Sequence, residues 1–212
     1  TSCTTLLTGT SVVTVTPIPA TPTINPAGPL TACEGTAAIV LTSSAVAGNQ
    51  WYKDGSPIGG ATATTLNITT APANSGSYTV ISTVSGCASL VSTAVSVTIN
   101  PTPLTTPVVA PATTTICSGS TVTVNVAGSQ AGINYELFNG VTSLSSTVAG
   151  TGGAINLITT TLTSNTTITV RATNPITSCT TLLTGTSVVT VTPIPATPTI
   201  NPAGPLTACE GA

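Results

Sequence analysis

The stretch QWYKDGSPIGGATATTLNITTAPANSGSYTV, residues 50–80, decides the fold class of this chain. It begins with an aromatic strand that ends at Asp54-Gly55, a pair that favours a tight hairpin turn. TTLNITT (64–70) and SYTVIST (77–83) alternate apolar and polar residues, as strands with one buried face do. The segment APANSGS between them is typical of a corner. The pattern predicts antiparallel β-strands.

A weaker repeat with a spacing of 84 residues surrounds this stretch. It relates four pairs of residues: Pro17 and Pro101, Cys33 and Cys117, Gly35 and Gly119, and Trp51 and Tyr135. A repeat of this length is the size of one β-sandwich domain. We therefore expect two related domains, domain A at residues 18–101 and domain B at residues 102–193.

A second repeat is perfect: residues 1–35 recur unchanged as residues 177–211, at an offset of 176. We interpret residues 1–17 as the last strand of a preceding B-type domain. Residues 194–212 are then the linker and first strand of the next A-type domain. This predicts that residue 1 lies inside a tandem array. The alternative is that residues 1–16 are donated as a strand to a neighbouring subunit.

The segments before the two domains, PIPATPTINPAGP (17–29) and PTPLTTPVVAP (101–111), are rich in proline. Proline lacks a backbone donor and stiffens the chain. We expect edge strands and semi-rigid joints here.

Charged residues make up only 3% of the chain, with two basic and four acidic side chains and no histidine. Such a chain cannot form a basic groove, which excludes nucleic acid as a partner. Threonine supplies roughly a quarter of the residues, and β-branched residues favour strands over helices. No apolar run reaches about 18 residues, so we expect no membrane span in this segment. The composition predicts a folded, all-β, extracellular protein.

The six cysteines support an oxidising compartment. Without histidine or C-x-x-C spacing, a metal site or cofactor has no support. The acids Glu34, Asp54 and Glu136 show no spacing that suggests a paired carboxylate, and a Ser–His arrangement is excluded. We expect that the chain is not an enzyme.

The aromatic residues divide by strand alternation. Trp51 and its counterpart Tyr135 are expected in the sandwich core, whereas Tyr52 faces the other way and is the candidate for contact with surface glycans. We interpret the sequons at Asn67 and Asn165 as accidental, and exposed threonines as better glycan acceptors. Lys53 is expected to be solvated rather than crosslinked.

Residues 50–80 resemble the immunoglobulin-like fold, because a tryptophan lies on the third strand and NSGSY matches the corner before strand F. More narrowly, ACEGT, WYKDG, SGSYTV and the closing VTINP are similar to Ig-like tandem-repeat modules of large secreted surface proteins of Bacteroidota. This resemblance implies tandem Ig-like β-sandwich domains in a head-to-tail rod, and it suggests type IX secretion. It also implies that Val80 and Val40 replace the usual disulfide and pack against Trp51, with Tyr78 at the corner.

The immunoglobulin topology implied by this resemblance places Cys33 and Cys87 at opposite ends of domain A. A strand of six or seven residues spans about 20 Å, whereas the Cα atoms of a disulfide lie within about 7 Å. The preferred interpretation is an interdomain bond between Cys33 and Cys179. The remaining cysteines then pair with neighbouring repeats or subunits: Cys3, Cys87, Cys117 and Cys209. The alternative is bonding within each domain, Cys33–Cys87 and Cys117–Cys179.

The leading functional hypothesis is a structural segment of a long extracellular filament, stalk or sheath, attached to the cell surface or secreted. Its partners are adjacent repeats and neighbouring chains of the same protein. Two alternatives stay open. One is an adhesin that binds glycans or surfaces, and the other is a set of spacer domains in a secreted enzyme.

Overall fold

A computed structural model describes residues 15–199 of the chain together with Gly9 and Gly204. It divides the chain into two compact units, Thr1–Pro101 and Thr102–Ala212. Both units are built from strands in two facing sheets, and the prediction of an all-β, Ig-like sandwich is confirmed. The predictions for Cys3 and Cys209 lie outside the described residues.

The first unit contains domain A, which has a small and a large sheet. The small sheet consists, in spatial order, of β1 (Ile24–Asn25), β3 (Ile39–Ser43) and β6 (Thr65–Ile68). The large sheet consists of β2 (Leu30–Cys33), β9 (Val95–Asn100), β7 (Gly76–Val84), β4 (Asn49–Lys53) and β5 (Ser56–Pro57), with β8 (Cys87–Ala88) paired to β7. A single 3-10 turn, Pro72–Asn74, leads into β7.

The second unit contains domain B, which repeats this plan. Its small sheet consists of β10 (Val108–Ala110), β12 (Thr123–Ala127) and β16 (Ile155–Ile158). Its large sheet consists of β11 (Thr113–Cys117), β18 (Thr180–Thr192), β17 (Thr166–Thr173), β13 (Asn134–Asn139) and β14 (Thr142–Ser143), with β15 (Val148–Ala149) paired to β13.

The first strand of each domain changes sheets at a proline. In domain A, β1 pairs antiparallel with β3, and β2 then pairs parallel with β9 in the other sheet. In domain B, β10 pairs with β12 and β11 runs parallel to β18. Cis peptide bonds lie at the crossings, at Asn25–Pro26, Gly28–Pro29 and Ala110–Pro111. Because proline has no N–H to donate, it interrupts one ladder where the next begins.

Trp51 lies at the centre of the domain A core, fully buried opposite Val80 of the neighbouring strand. Its indole N–H donates to the Ala63 carbonyl at 2.9 Å. A buried indole N–H needs such a partner, since an unpaired polar group in the core is costly. The apolar residues of β9, two strands away in the same sheet, alternate with exposed polar ones and belong to the same core.

The prediction that Val40 is a core residue is wrong. Val40 is 45% exposed. Its neighbour Leu41 is fully buried and belongs to the same core cluster as Trp51. Successive side chains of a strand point to opposite faces, so an assignment displaced by one residue exchanges core and surface.

Tyr135 is fully buried, but it is not the structural counterpart of Trp51. Lys53 and Asn139 are the last paired residues before the matching hairpin turns of β4 and β13. Counting back from these turns, Leu137 takes the place of Trp51, and Tyr135 takes the place of Asn49. Domain B therefore has two more residues before this strand. A shift of two residues preserves the face, which explains why Tyr135 is still a core residue.

Candidate functional site at the cysteine loops

Cys33 and Cys117 occupy the same position in the two domains, at the end of β2 and of β11. Each is followed by a tight loop with a glycine of positive φ two residues later, at 75° for Gly35 and 85° for Gly119. Only glycine adopts this conformation without strain. We call these two segments the A′-end loops, residues 33–36 and 117–120.

The backbone hydrogen bonds of the two A′-end loops are equivalent. In each loop three successive N–H groups donate to backbone carbonyls. The first acceptor is the last residue of the parallel strand, the second lies after the last strand of the small sheet, and the third is the cysteine itself. In domain A these bonds are Glu34 to Asn100 at 2.9 Å, Gly35 to Thr70 at 3.0 Å and Thr36 to Cys33 at 3.3 Å. In domain B they are Ser118 to Thr192 at 2.8 Å, Gly119 to Leu162 at 2.8 Å and Ser120 to Cys117 at 3.1 Å. The two cysteines are therefore held in the same local frame.

Cys87 and Cys179 form a second pair, each directly after the turn that follows the corresponding central strand of its domain, β7 in domain A and β17 in domain B. Cys87 pairs with Val84 across a turn at Ser85 and Gly86, whose φ angles are 49° and 80°. Cys179 ends a longer turn in which its carbonyl accepts from the Asn174 N–H at 2.9 Å. We call these segments the F–G turns, residues 84–87 and 174–179.

The oxidation states of these four cysteines differ within each pair. Cys33 and Cys179 are disulfide-bonded. Cys87 and Cys117 carry free thiols, the first half-buried and the second exposed. The alternative of intradomain bonds Cys33–Cys87 and Cys117–Cys179 is therefore not realised in this structure. Each domain has one oxidised cysteine and one free cysteine. In domain A the oxidised cysteine is in the A′-end loop, whereas in domain B it is in the F–G turn.

The free thiol of Cys87 lies beside the chain that enters domain A. Its Sγ donates to the Thr16 carbonyl at 3.7 Å. Exposed apolar side chains surround this end of the domain, with Val46 90% exposed and Val84 45% exposed. Both valines line an apolar cleft together with Pro19. This F–G turn therefore presents a thiol within an apolar, uncharged surface.

The charged residues of domain A stabilise a corner. The Asp54 carboxylate accepts from the Ser77 N–H at 2.8 Å, and the Lys53 Nζ donates to the Ala73 carbonyl at 2.6 Å. The first bond ties the hairpin turn to the start of β7, and the second ties it to the 3-10 turn before β7. The expectation that Lys53 is simply solvated is thereby corrected: it is half-buried and bonded to backbone.

Tyr78 completes the same corner. Its hydroxyl donates to the Asn74 carbonyl at 2.6 Å, four residues upstream. This bond is the tyrosine corner of Ig-type sandwiches. Burial, and secondarily the negative charge of Asp54, raises the pKa of the Tyr78 hydroxyl, so the group stays protonated and able to donate.

Replacing Tyr78 by phenylalanine is expected to destabilise domain A by about 1–2 kcal/mol, because the Asn74 carbonyl loses its donor while the ring still fills the core. Urea unfolding at neutral pH measures this loss. The matched control is Tyr52→Phe, which removes a hydroxyl from the other face of the sheet and should change the midpoint little. Equal effects of the two substitutions would contradict the assigned role.

The charged residues of domain B form a small cluster that the sequence did not reveal. The Arg171 guanidinium carbon lies 3.6 Å from the centroid of the Phe138 ring. Its Nη2 is 3.8 Å from a Glu136 carboxylate oxygen, and the Ser143 hydroxyl donates to the other carboxylate oxygen. Arg171 and Glu136 are directly opposite in neighbouring strands, so only the register brings them together. Arg171 shields an aromatic ring from water.

The remaining candidates have ordinary surroundings. Tyr52 is half-buried on β4, and Asn67 is exposed on β6. The Asn165 carboxamide oxygen accepts from the Val191 N–H at 2.7 Å, which connects a turn to the last strand. Within residues 15–199, no cluster of three or more acidic, cysteine or histidine residues could hold a metal ion. The part of the chain that the structure describes contains no helix long and apolar enough to cross a membrane.

Comparisons with known proteins agree with the immunoglobulin-like architecture of domain A. Residues 19–101 match the family described as Ig-like domain, CHU_C associated. The comparison with curated proteins found no match.

Three solved structures show similarity to this chain at low sequence identity. A three-Ig fragment of titin shares 11% identity at a TM-score of 0.42, covering 82% of this chain and 64% of the fragment. The fibronectin(III)-like modules of Clostridium thermocellum CbhA share 17% at a TM-score of 0.38, covering 81% and 94%. Extracellular domains 3–5 of Drosophila OTK share 15% at a TM-score of 0.41, covering 81% and 60%. The chain thus spans less than two thirds of the titin and OTK fragments.

Proposed function

We propose that this chain is a structural segment of a long extracellular filament, stalk or sheath, in which a Cys33–Cys179 disulfide joins domain A to domain B. The observation that carries the proposal is the oxidation pattern. Cys33 and Cys179 are both disulfide-bonded, whereas the intradomain partners that each would otherwise use, Cys87 and Cys117, are free. Its activity is mechanical, and the chain is not an enzyme.

An interdomain disulfide suits this role because it prevents the joint from opening under load. The two cysteines are separated by 146 residues (179 − 33). In the chain-entropy account, closing a loop of this length stabilises the folded state by about 5 kcal/mol, more than a short intradomain loop provides. The proline-rich segment before domain B adds stiffness. It also packs on domain B, since Pro103 and Pro107 are buried and the Leu104 N–H donates to Gln130 Oε1 at 2.6 Å.

Lateral association of neighbouring chains fits the surface of the two domains. The net charge is only −2 over 212 residues, so copies repel one another weakly. Exposed positions of the strands are largely threonine, which can accept hydrogen bonds and carry O-linked glycans. The partner in this proposal is therefore the protein itself.

Spacer domains in a secreted enzyme are the second candidate, favoured by the match of residues 19–101 to an Ig-like domain family. Repeat number distinguishes the two. Tens of perfect copies, continuing the identity of residues 1–35 and 177–211, support a filament. A few diverged copies beside a catalytic domain support a spacer. A long-read sequence of the locus provides the count.

Tryptic mapping without reductant tests the proposed bond. The only basic residues are Lys53 and Arg171, so complete digestion gives peptides 1–53, 54–171 and 172–212. In a C3S/C209S background, the Cys33–Cys179 bond is expected to link the first peptide to the third. A link between the first and second peptides would instead show Cys33–Cys87 or Cys33–Cys117 and would reject the proposal. The variant C3S/C33S/C209S, which should give no link to the first peptide, is the control.

A further inference from the structure

We infer that Cys117 of one copy of this chain forms a disulfide with Cys87 of a second copy, so that the two free thiols build a covalent, head-to-tail polymer. This inference rests on the proposed function and names the contact that would extend the filament. It starts from the four cysteines and their two local frames.

Each local frame occurs twice, once oxidised and once free. The A′-end loop is oxidised at Cys33 and free at Cys117, although the three backbone hydrogen bonds that hold it are equivalent in the two domains. The F–G turn is oxidised at Cys179 and free at Cys87. The free set therefore contains one A′-end thiol and one F–G thiol, the same combination as the oxidised set. The A′-end loop holds a bonded cysteine in domain A, and because its backbone hydrogen bonds are equivalent in domain B, it is suited to hold one there as well.

Both free thiols are accessible to another molecule. Cys117 is exposed, and Cys87 is half-buried beside Thr16. The apolar side chains next to Cys87 offer surface that a second copy could cover, since Val84 pairs directly with Cys87 and is 45% exposed. No charged residue lies within the F–G turn, residues 84–87, so a near-neutral partner approaches without repulsion. A second copy of this chain has that character.

The bond forms by thiol–disulfide exchange with a small disulfide oxidant such as oxidised glutathione. The Cys117 thiolate attacks one sulfur of the oxidant, which forms a mixed disulfide and releases one reduced thiol. The Cys87 thiolate of the second copy then attacks the Cys117 sulfur and releases the second reduced thiol. Two protein thiols lose two protons and two electrons, and the oxidant becomes two thiols.

The geometry of this contact predicts an open polymer rather than a closed dimer. Cys117 belongs to domain B and Cys87 to domain A, so each copy contributes domain B to one contact and domain A to the next. Such a heterologous contact continues in one direction unless the rotation closes a ring.

The test uses the 212-residue chain in a C3S/C209S background, oxidised with a glutathione buffer and separated without reductant. The expected result is a ladder of dimers, trimers and larger species that collapses to monomer on reduction. Adding C87S or C117S should remove every species above dimer. Mixing these two variants in equal amounts should restore one product, a heterodimer, because each supplies one of the two thiols.

The controls separate geometry from general thiol reactivity. In C117S/S118C the thiol moves by one residue along the same loop, and the ladder should be lost. Tryptic mapping should show two copies of peptide 54–171 joined to each other. A ladder that persists in C117S/S118C, a bond between Cys87 and Cys117 of the same chain, or no heterodimer from the mixture would each overturn the inference. If the link between peptides 1–53 and 172–212 is present while the ladder is absent, the inference fails and the proposed function stands.

Discussion

When the chain is pulled from its two ends under oxidising conditions, its maximum extension is expected to stay roughly 500 Å below the full contour length, even after both domains have unfolded. The reason is that force would pass through the proposed Cys33–Cys179 bond and bypass the residues between the two cysteines. These positions are 146 residues apart (179 − 33), and an extended residue contributes about 3.3–3.6 Å. The measurement is single-molecule force–extension of the 212-residue chain, compared with the same molecules after reduction.

Variants of the two cysteine pairs make this test specific. C33S/C179S should release the hidden length without reductant, whereas C87S/C117S should keep it hidden. Bonding within each domain would hide two separate loops, of 54 residues (87 − 33) and 62 residues (179 − 117), each roughly 200 Å long when extended. A release of that size, or full extension of the oxidised chain, would contradict the interdomain bond. The comparison therefore distinguishes the two connectivities by length alone.

The mechanical consequence is the central step between structure and function. Each Ig-like domain alone is a small sandwich whose stability is only a few kcal/mol above the entropy cost of folding. In the proposed filament, a joint between two such domains would carry the same load as the domains themselves. In the proposed function, the Cys33–Cys179 disulfide across the joint would transfer the load to a covalent bond. The domains can then lose structure transiently without lengthening the fibre.

Much of the fold could be predicted from residues 50–80, because several signals there agree. The Asp54-Gly55 pair lies in the hairpin turn with φ values of 51° and 80°, as the sequence predicts. Tyr78 bonds the corner, and Trp51 is fully buried. Each of these features depends on near neighbours in the sequence, which is where pattern analysis is strongest.

The assignments that differ from the structure lie where the sequence pattern does not show which residues of a strand face the core. The run that contains Val40 is apolar at successive positions, so alternation alone could not show which side chain faces the core. Tyr135 was matched to Trp51 by spacing, and an insertion of two residues went unseen because it changes no face. Arg171 and Phe138 meet only through the register of two strands, which no local signal encodes. The interpretation of proline-rich segments as joints likewise missed the sheet change of the first strand.

Replacing Trp51 by alanine is expected to destabilise domain A by about 3–5 kcal/mol, the usual cost of emptying a buried aromatic site. The substitution removes the fully buried indole opposite Val80 and also leaves the Ala63 carbonyl without its donor. A domain of this size has a total stability of the same order, so a large fraction of domain A should unfold at 37 °C. Hydrogen exchange measured peptide by peptide reads out the loss, with domain B in the same chain as the internal reference.

A matched pair in β3 shows whether that loss comes from packing against Trp51. Leu41→Ala should cost about 2–5 kcal/mol, since Leu41 is fully buried in the same core. Val40→Ala should stay within about 1 kcal/mol, because Val40 points to solvent and its removal leaves no cavity. The two residues are adjacent and similar in chemistry, so the contrast isolates the face of the strand. A larger effect at Val40 than at Leu41 would mean that the strand packs in the opposite phase, and Trp51 would then have to be covered by a different set of side chains.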